Sequence, residues 1–467
     1  MPATDHTGNT DGDATAPTGI ADALDTETPD SGAEHDLSPV SPASPGADRD
    51  EAERVVLVGV WSTGTAEEAE RSLSELAALA ETAGARVVHG LTQRRSSPDP
   101  ATFIGSGKVA ELADLAESAD ADTVVFDGEL SPAQLARLSE RLRVKVIDRT
   151  ALILDIFAQR ATSREGKAQV RLAQMRYMLP RLRGWGQSLA RQRGGGGGGG
   201  LASRGPGETK LETDRRRLRD DMAEVQREIE QLRVARDLRR QRRERNRVPS
   251  VALAGYTNAG KSSLLNRLTG AEVLVRNALF ATLDPTVRRV ETDRGRGFTL
   301  TDTVGFVRRL PHHLVDAFRS TLEEVTEADL ILHVVDGSHP DPLDQIATVR
   351  AVIADIGGAR VPELVVVNKA DAVPEEALRP LLAAESDTVV VSARTGEGVD
   401  ALLERIVSTL SEADTEVAAL LPYDRGDLLA RIHDEGEVLA EEHTGDGTRV
   451  TARVHDALAA ALEPYAG

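Results

Sequence analysis

The sequence of 467 residues contains no cysteine. This absence excludes disulfide bonds and metal sites built from thiolates, and it is typical of proteins in a reducing compartment. The sequence also lacks an apolar run of about 18 residues, the length that a membrane-spanning helix needs. Its N-terminus has no basic region followed by an apolar stretch, so we expect no secretory signal. Together these absences predict a cytoplasmic protein without a membrane span.

The net charge of −20 is distributed unevenly along the chain. Residues 1–53 contain thirteen Asp and Glu against one Arg, and they are rich in Ser, Thr, Pro and Gly. This composition predicts a disordered acidic tail. Residues 158–247 instead contain 22 Arg and 2 Lys against 11 acidic residues. Charge asymmetry of this kind is typical of a polyanion-binding region beside an acidic tail.

A phosphate-binding loop is the most informative motif in the chain. It matches the pattern G-x-x-x-x-G-K-[ST], follows a short apolar run at 251–254 and precedes a segment of helical spacing at 263–268. Its glycines let backbone N–H groups surround phosphate oxygens, and the helix N-terminus adds positive potential. We expect Lys261 to reach the outer phosphates and Ser262 to bind Mg²⁺. The predicted nucleotide contacts of this loop are Gly255, Tyr256, Thr257, Asn258, Ala259, Gly260, Lys261 and Ser262.

A D-x-x-G motif follows the next predicted strand, at 298–301. In a nucleotide-binding site the carboxylate of this motif, here Asp302, holds Mg²⁺ through water, and the N–H of Gly305 faces the γ-phosphate. We therefore include Gly305 with Lys261 among the catalytic residues. The predicted nucleotide contacts of the motif are Asp302, Thr303, Val304 and Gly305.

An N-K-x-D motif predicts that the base is guanine. A fixed carboxylate accepts hydrogen bonds from the ring N–H and the amine of guanine, whereas adenine offers neither group at those positions. An unpaired buried acceptor costs about 1–3 kcal/mol, so guanine is preferred. A short loop after the strand at 388–391 suits closure over the base. The predicted contacts are Asn368, Lys369, Ala370 and Asp371 in the motif, and Ser392, Ala393 and Arg394 in the loop.

The motifs described so far resemble, in their order, those of P-loop GTPases, and the resemblance implies that the segment between the phosphate loop and the D-x-x-G motif carries a switch. A Thr there lends its hydroxyl to Mg²⁺ and its N–H to the γ-phosphate, and these bonds are released on hydrolysis. We favour Thr282 for this metal-binding and catalytic role beside the metal ligand Ser262, with Thr286 as the alternative. The predicted contacts of the segment are Phe280, Ala281, Thr282, Leu283 and Asp284.

These motifs, in this order, resemble the G domain of the TRAFAC class of P-loop GTPases over residues 248–410. Ras-like members place a water-orienting Gln after the D-x-x-G glycine, where this chain has Phe306. A phenyl ring cannot orient water by hydrogen bonding. We therefore expect slow intrinsic hydrolysis of GTP that a partner accelerates.

The region before the G domain predicts a small α/β domain followed by an Arg-rich helical hairpin. Residues 54–149 alternate between predicted strands and helices, which favours a largely parallel sheet. Residues 150–179 are predicted to be mostly helical, with a break near Gly166 and an end before Pro180. A second helix, at 208–245, carries apolar residues at seven-residue spacing, so the two helices would pair as a coiled coil. The Gly-rich loop between them contains several Arg residues and Trp185, which favour contact with RNA.

Five segments extend the resemblance to the HflX family of ribosome-associated GTPases. They lie at 103–112, 148–150, 174–177, 204–212 and 280–285. The resemblance implies an N-terminal domain and a hairpin that dock on the large ribosomal subunit and its RNA. It implies a role in splitting stalled or stressed ribosomes or in ribosome biogenesis, with Mg²⁺ as the cofactor and GTP as the substrate.

The resulting prediction is an α/β protein that hydrolyses GTP and acts as a monomer. We expect a disordered tail at 1–53, an N-terminal α/β domain at 54–149, the hairpin at 150–247, a GTPase domain with a mostly parallel sheet at 248–410, and a small α+β domain at 411–467. The alternative is a GTP-regulated switch that acts on a protein partner instead of ribosomal RNA. The two hypotheses differ in salt dependence, because binding to RNA releases counterions and weakens steeply with salt.

Overall fold

Three β-sheets organise the part of the chain that the structure covers. The computed structural model describes residues 52–182, 206–245, 248–270, 279–291, 297–308, 311, 314, 319–411, 415–454 and 456–466. A four-stranded, a six-stranded and a three-stranded sheet follow one another along the sequence. The predicted acidic tail, apart from residues 52 and 53, and the Gly-rich loop lie outside the described residues.

The first sheet is entirely parallel, with the strand order β2-β1-β3-β4. Its strands are β1 (Arg54–Trp61), β2 (Arg86–Arg94), β3 (Thr123–Phe126) and β4 (Lys145–Asp148). The helices that follow the first three strands are α1 (Ala66–Thr82), α2 (Ser106–Ser118) and α3 (Pro132–Leu142). Both faces of the sheet are covered, because alternate residues of β1 face α1 on one side and α2 and α3 on the other. The predicted parallel α/β unit is confirmed.

Two helices follow β4, and the break between them is not where the sequence predicts it. The helix α4 (Arg149–Arg160) ends before Ala161, and α5 (Arg164–Met178) begins after Ser163. Gly166 lies in the first turn of α5, where its N–H donates to Oγ of Ser163 over 2.9 Å. The prediction of a break at Gly166 is therefore wrong, because the capping hydroxyl of Ser163 starts a new helix three residues earlier. The predicted end before Pro180 is confirmed.

The long helix α6 (Pro206–Arg245) packs against α5. The two helices share a small apolar cluster in which Leu172, Met175, Leu218 and Val225 are buried. The spacing of Leu218 and Val225 matches the predicted seven-residue repeat. The coiled-coil hairpin itself stays a prediction, because the segment that joins the two helices at 183–205 lies outside the described residues.

The second sheet has the strand order β10-β9-β8-β5-β7-β6 and is parallel except for β6. Its strands are β5 (Ser250–Gly255), β6 (Thr286–Val290), β7 (Phe298–Asp302), β8 (Leu330–Asp336), β9 (Glu363–Asn368) and β10 (Thr388–Val390). Its helices are α7 (Lys261–Thr269), α8 (Arg319–Thr326), α9 (Pro342–Asp355), α10 (Glu375–Ala384) and α11 (Val399–Ser411). Because parallel strands share one carboxyl edge, the polar segments after β5, β7 and β9 meet there.

The third sheet is antiparallel, with the order β11-β13-β12. It contains β11 (Thr415–Leu421), β12 (Glu437–Thr444) and β13 (Gly447–Val454), with the helices α12 (Gly426–Glu435) and α13 (Asp456–Leu462). One apolar cluster joins this sheet to both helices. The predicted α+β appendage is confirmed. No helix in the described part of the chain has the length and apolar character needed to cross a lipid bilayer.

The core of the N-terminal unit extends into the G domain. One apolar cluster joins Ile153 and Phe157 of α4 to Phe280 and Leu283, which precede β6, and to Val304, which follows β7. The rings of Phe157 and Phe280 meet edge to face with their centroids 4.7 Å apart. The predicted switch segment and the D-x-x-G motif therefore both contact the N-terminal unit directly.

Candidate nucleotide-binding site

The phosphate-binding loop connects the end of β5 to the start of α7, as the sequence predicts. Gly255 and Gly260 have φ angles of +149° and +97°. A Cβ atom at Gly255 would lie 2.2 Å from the carbonyl oxygen of Val334, and one at Gly260 would lie 2.1 Å from Nδ2 of Asn368. Both positions therefore require glycine by conformation and by space. The first N–H groups of α7 have no side-chain cap and can bind an anion.

Lys261 is buried at the centre of this loop, with 6% of its surface exposed. Its Nζ donates hydrogen bonds to the carbonyl oxygens of Gly255, over 3.0 Å, and Tyr256, over 2.9 Å. Burial lowers the pKa of Lys261 to about 8, although the nearby carboxylate of Asp302 opposes this shift. A negatively charged ligand would strongly stabilise the protonated form of an amine that is buried in this way.

Two hydroxyls and one carboxylate converge beside Lys261. Oδ2 of Asp302 accepts hydrogen bonds from Oγ of Ser262, over 2.6 Å, and from Oγ1 of Thr282, over 2.8 Å. The two hydroxyl oxygens are 2.9 Å apart. Burial raises the pKa of Asp302, against the effects of Lys261 and both hydroxyls, and its Oδ1 is buried without a hydrogen-bond partner among the described residues. Hard oxygen donors gathered in this way fit Mg²⁺, which takes its remaining ligands from water and phosphate.

The D-x-x-G glycine lies directly against the phosphate-binding loop. A Cβ atom at Gly305 would lie 2.9 Å from Cα of Thr257 and 3.1 Å from Nζ of Lys261. The next residue, Phe306, donates its N–H to the carbonyl oxygen of Gly255 over 3.1 Å and accepts from the N–H of Thr257 over 2.7 Å. Its ring is 1% exposed and packs in an apolar cluster. The backbone of this segment is thus fixed to the loop, while the ring after the glycine points into the core.

The predicted guanine-binding groups surround the neighbouring strand ends. Asn368 links two loops, since its Nδ2 donates to the carbonyl oxygen of Ala259 over 2.8 Å and its Oδ1 accepts from the N–H of Ala393 over 2.9 Å. Asp371 accepts from Oγ of Ser392 over 2.5 Å and pairs with Arg394 over 2.9 Å. The hydrogen bond from Ser392 and the charge of Arg394 lower the pKa of Asp371, so its carboxylate is held ionised.

The N-K-x-D lysine has a structural contact of its own. Lys369 adopts a left-handed conformation, with φ of +65°, and Ala370 opens a short 3₁₀ turn after it. Nζ of Lys369 lies 2.7 Å from Oδ2 of Asp336, at the end of β8. Asp336 is not among the residues predicted from the sequence, although its place at a strand end beside β9 is a signal that points to this site.

One pocket collects most of the predicted phosphate and metal contacts. It is lined by Thr257, Asn258, Gly260, Lys261, Ser262, Ser263, Phe280, Ala281, Thr282, Thr303 and Gly305. Ser263, the third residue of α7, lines the pocket although it is not among the contacts predicted from the sequence. The hydroxyl of Thr303 is used within the fold, where it donates to the carbonyl oxygen of Leu253 over 2.6 Å.

Three predicted nucleotide contacts lie instead in the contact between the N-terminal unit and the G domain. Leu283 and Val304 are buried in their shared apolar cluster. Asp284 accepts four hydrogen bonds, from the N–H and hydroxyl groups of Thr162 and Ser163, over 2.5–2.8 Å. Burial acts to raise the pKa of Asp284, but these hydrogen bonds outweigh it and lower the pKa. The side chain of Asp284 therefore anchors the switch segment to the break between α4 and α5 and does not line the phosphate pocket.

Family models match the chain over almost all of its described length. A model for the GTP-binding GTPase N-terminal region matches residues 70–158, and one for the middle region matches 160–243. A model described as 50S ribosome-binding GTPase matches residues 250–369, and one for the HflX C-terminal domain matches 378–467.

Curated relatives match most of the chain. The GTPase HflX of Lacrimispora saccharolytica is 46% identical over 411 residues, which cover 88% of this chain and 95% of that protein. The GTPase HflX of Escherichia coli is 41% identical over 404 residues, covering 85% and 91%. A GTP-binding protein from Sulfolobus solfataricus, solved in complex with GDP, is 22% identical and aligns with a TM-score of 0.41 over 77% of this chain and 99% of that one. From its domain matches and its identity to the two curated HflX proteins, the chain belongs to the HflX family of GTPases.

Proposed function

We propose that the chain binds and hydrolyses GTP at this pocket and uses the reaction to regulate its binding to the large ribosomal subunit. The observation that carries the nucleotide assignment is the convergence of Lys261, Thr282 and Gly305 on one pocket, with Asp302 bonded to the Thr282 hydroxyl and Asp371 held ionised nearby. These groups provide for phosphates, a metal ion and guanine in a single site.

In this proposal Ser262 and Thr282 bind Mg²⁺ directly and Asp302 binds it through water. When bound, the ion neutralises negative charge on the outer phosphates. Lys261 adds a second positive charge in a buried setting, and Gly305 offers its N–H to the γ-phosphate. Asp371 accepts from the guanine ring N–H and amine, while Asn368 keeps the phosphate loop and the 392–394 loop together.

We further propose that intrinsic hydrolysis is slow. The ring of Phe306 is buried and has no hydrogen-bonding group, so it cannot orient the attacking water. A partner must then supply or place the missing group, and the ribosome is the partner that we propose. Turnover of GTP measured with and without ribosomes tests this directly. Rapid turnover by the isolated chain would contradict it.

The Arg-rich helix α6 is the proposed ribosome-binding surface. Arg216, Arg217 and Arg219 are exposed, whereas Leu218 between them is buried against α5. Arg is suited to phosphate because its guanidinium forms paired hydrogen bonds. We propose that 54–149 and 150–247 act as a ribosome-binding unit, that 248–410 is the GTPase domain, and that 411–467 is a separate C-terminal domain.

Co-sedimentation with 50S subunits tests this proposal. The double variant Arg216→Gln with Arg217→Gln should weaken binding by about tenfold at low salt and reduce the dependence of binding on salt. The matched control is Arg360→Gln with Arg379→Gln, which removes the same charge from exposed positions of the G domain. Equal binding by both variants would contradict the role of α6. Insensitivity to salt would favour a protein partner instead.

The cellular role that we propose is the splitting of stalled or stressed ribosomes in the cytoplasm by a monomeric chain. Incubation of 70S ribosomes with the chain and a GTP analogue should release free subunits on a density gradient, and GDP should not. Stable association with immature large subunits without release from 70S would favour ribosome biogenesis. Analytical ultracentrifugation of the free chain tests the proposed monomer.

A further inference from the structure

Glu75 of α1 is bound by two segments of the G domain at once. The hydroxyl of Tyr256, in the phosphate-binding loop, donates to Oε2 of Glu75 over 2.7 Å. The N–H of Arg308, after the D-x-x-G motif, lies 3.2 Å from Oε1 of Glu75 and donates to the Tyr256 hydroxyl oxygen over 2.6 Å. One carboxylate of the N-terminal unit therefore joins the two loops that enclose the phosphates.

A buried arginine balances the charge of this carboxylate. Arg149 is 2% exposed, and its guanidinium donates to Oε1 of Glu75 over 2.5 Å and to Oδ1 of Asp127 over 2.8 Å. The same guanidinium donates to the carbonyl oxygen of Arg308 over 3.0 Å. Both backbone polar groups of Arg308 are thus bound by one ion pair of the N-terminal unit.

The side chain of Arg308 is also fixed, but within the G domain. Its guanidinium pairs with Oδ2 of Asp344, in the first turn of α9. Arg308 is therefore held from two sides: α9 binds its side chain and the Glu75–Arg149 pair binds its backbone. Little freedom remains for the residues that precede it.

The residues that precede Arg308 are the ones that act on the nucleotide. Phe306 is tied to the phosphate-binding loop by two backbone hydrogen bonds, and Gly305 comes directly before it. With the chain fixed at Phe306 and at Arg308, the direction of the Gly305 N–H is set as well. Restraint of this kind favours hydrolysis when it holds a donor where charge develops in the transition state.

We propose that Glu75 is a positioning residue for GTP hydrolysis, acting through the Tyr256 hydroxyl and the Arg308 backbone on Gly305. This inference rests on the proposed reaction at the phosphate pocket. It assigns to the N-terminal unit a direct part in the geometry of the GTPase site. Within the described part of the chain, Glu75 binds no predicted nucleotide contact other than the hydroxyl of Tyr256, so its effect should fall on turnover and not on nucleotide affinity.

The test is steady-state GTP hydrolysis by the full chain, with and without ribosomes. Glu75→Gln keeps the size of the side chain but removes its charge, and it should lower kcat about tenfold while KM and the affinity for GDP stay within about twofold of wild type. Glu70→Gln is the matched control, because it makes the same change at an exposed position of the same helix. It should behave as wild type.

Tyr256→Phe gives a second, milder variant, since it removes only the hydroxyl that joins Glu75 to Arg308. If Glu75 acts through this hydroxyl, Tyr256→Phe should also lower kcat, and the double variant should be no slower than Glu75→Gln alone. Hydrogen exchange at 305–308 in the complex with a GTP analogue should rise in both variants. Strictly multiplicative effects on kcat would overturn the relay.

Three further outcomes would overturn the proposal. They are a kcat for Glu75→Gln equal to that of Glu70→Gln, a higher kcat than wild type, or a loss of GDP affinity that parallels the loss of turnover. The last outcome would show that Glu75 only supports folding. Failure of the wild-type chain to hydrolyse GTP, even with ribosomes, would instead refute the proposed reaction, and the exchange measurement would still decide whether Glu75 restrains 305–308.

Discussion

Arg394 lies with its Nη2 2.9 Å from Oδ2 of Asp371, so the carboxylate that should bind guanine already carries a partner of opposite charge. The other oxygen of Asp371 accepts from Oγ of Ser392. A guanine that donates two hydrogen bonds needs both carboxylate oxygens. The Ser392 contact can persist beside it, whereas a base that binds Oδ2 would compete with the guanidinium of Arg394 for that oxygen.

Removal of this guanidinium should therefore strengthen nucleotide binding slightly. The side chain of Arg394 is 80% exposed, so the pair contributes little and the gain for Arg394→Ala should not exceed about fivefold. Binding of a fluorescent GDP measures it, and Arg394→Lys, which keeps the charge, is the control. Weaker binding by Arg394→Ala would mean that the arginine remains in place and contacts the bound base.

Asp371→Asn should abolish the preference for guanine. The carboxamide would place an N–H donor against the donors of guanine, and a site built to pair with such groups loses at least about 100-fold when the match is broken. Xanthine has an acceptor where guanine has its amine, so xanthosine diphosphate should bind the variant better than GDP does. If Asp371→Asn bound neither GDP nor xanthosine diphosphate, Asp371 would only support the fold of its loop.

The choice between the two switch threonines can be settled by substitution. The hydroxyl of Thr282 is 2.8 Å from Asp302 and 2.9 Å from Ser262, whereas Thr286 begins β6 and pairs with Asp302 through strand register. Thr282→Ala should lower kcat by about 100-fold and raise the Mg²⁺ concentration required, because the proposed site would lose a direct metal ligand. Thr286→Ala should stay within about threefold of wild type. Thr282→Ser, which keeps the hydroxyl, should retain most activity.

The nucleotide pocket could be predicted from the sequence because its requirements are local. Gly255 and Gly260 leave no space for a Cβ atom, and Lys261 follows them at the start of a helix. Asp302 and Asn368 end parallel strands of one sheet. Because such strands end at the same edge, the order of the motifs along the sequence is enough to predict that they lie close together.

The contacts between the N-terminal unit and the G domain could not be predicted in this way. Glu75 and Tyr256 are 181 positions apart, and no periodicity relates them. Asp284 was predicted as a nucleotide contact because of its place in the switch segment, but its partners Thr162 and Ser163 belong to another domain. The same contact explains the misplaced helix break, since Asp284 binds the two residues that directly precede α5. Such pairs become visible only once the domains are docked.

Binding of GDP should take up a proton at alkaline pH. Burial lowers the pKa of Lys261 to about 8 in the nucleotide-free chain, and phosphate charge should raise the pKa of this amine. The affinity for GDP should then be at its maximum below pH 8 and should fall as the pH rises above 8. Calorimetric titrations at pH 8.5 in buffers of different ionisation enthalpy measure the proton, and none should be taken up at pH 6.5. Loss of Lys261 in Lys261→Met should abolish the uptake.

The free energy of unfolding should respond to the same group in the nucleotide-free chain. Because the pKa of Lys261 is lower in the folded than in the unfolded state, the unfolded chain binds more protons between pH 8 and about 10.5. Stability should therefore gain up to about 3 kcal/mol across this window relative to Lys261→Met, whose folded state carries no buried amine. Urea titrations of both chains at pH 7 and pH 10 provide the comparison. An equal pH response would contradict the shifted pKa.

Asp284 should couple the nucleotide state to the ribosome-binding helices. It joins the switch segment to Thr162 and Ser163, which precede α5, and α5 packs on the Arg-rich α6. Asp284→Ala should leave GDP affinity within about threefold of wild type, because this carboxylate lies outside the phosphate pocket. It should, however, reduce by at least about fivefold the ratio of 50S affinities in GTP analogue and GDP, since coupling free energies of this kind are typically about 1–3 kcal/mol.

A matched control separates this coupling from a general loss of stability. Asp329→Ala removes a carboxylate that accepts, in the same manner, from the N–H and hydroxyl of Ser250, over 2.7 and 3.0 Å. Each variant should destabilise the fold by about 1–3 kcal/mol through its unpaired partners. Only Asp284→Ala should change the nucleotide dependence of 50S binding, because Asp329 lies at the opposite end of β5 from the phosphate loop. If Asp284→Ala left the ratio of 50S affinities in GTP analogue and GDP unchanged, the switch segment would have to affect the ribosome-binding helices through other contacts. The contacts of the Arg308 backbone are the next candidate.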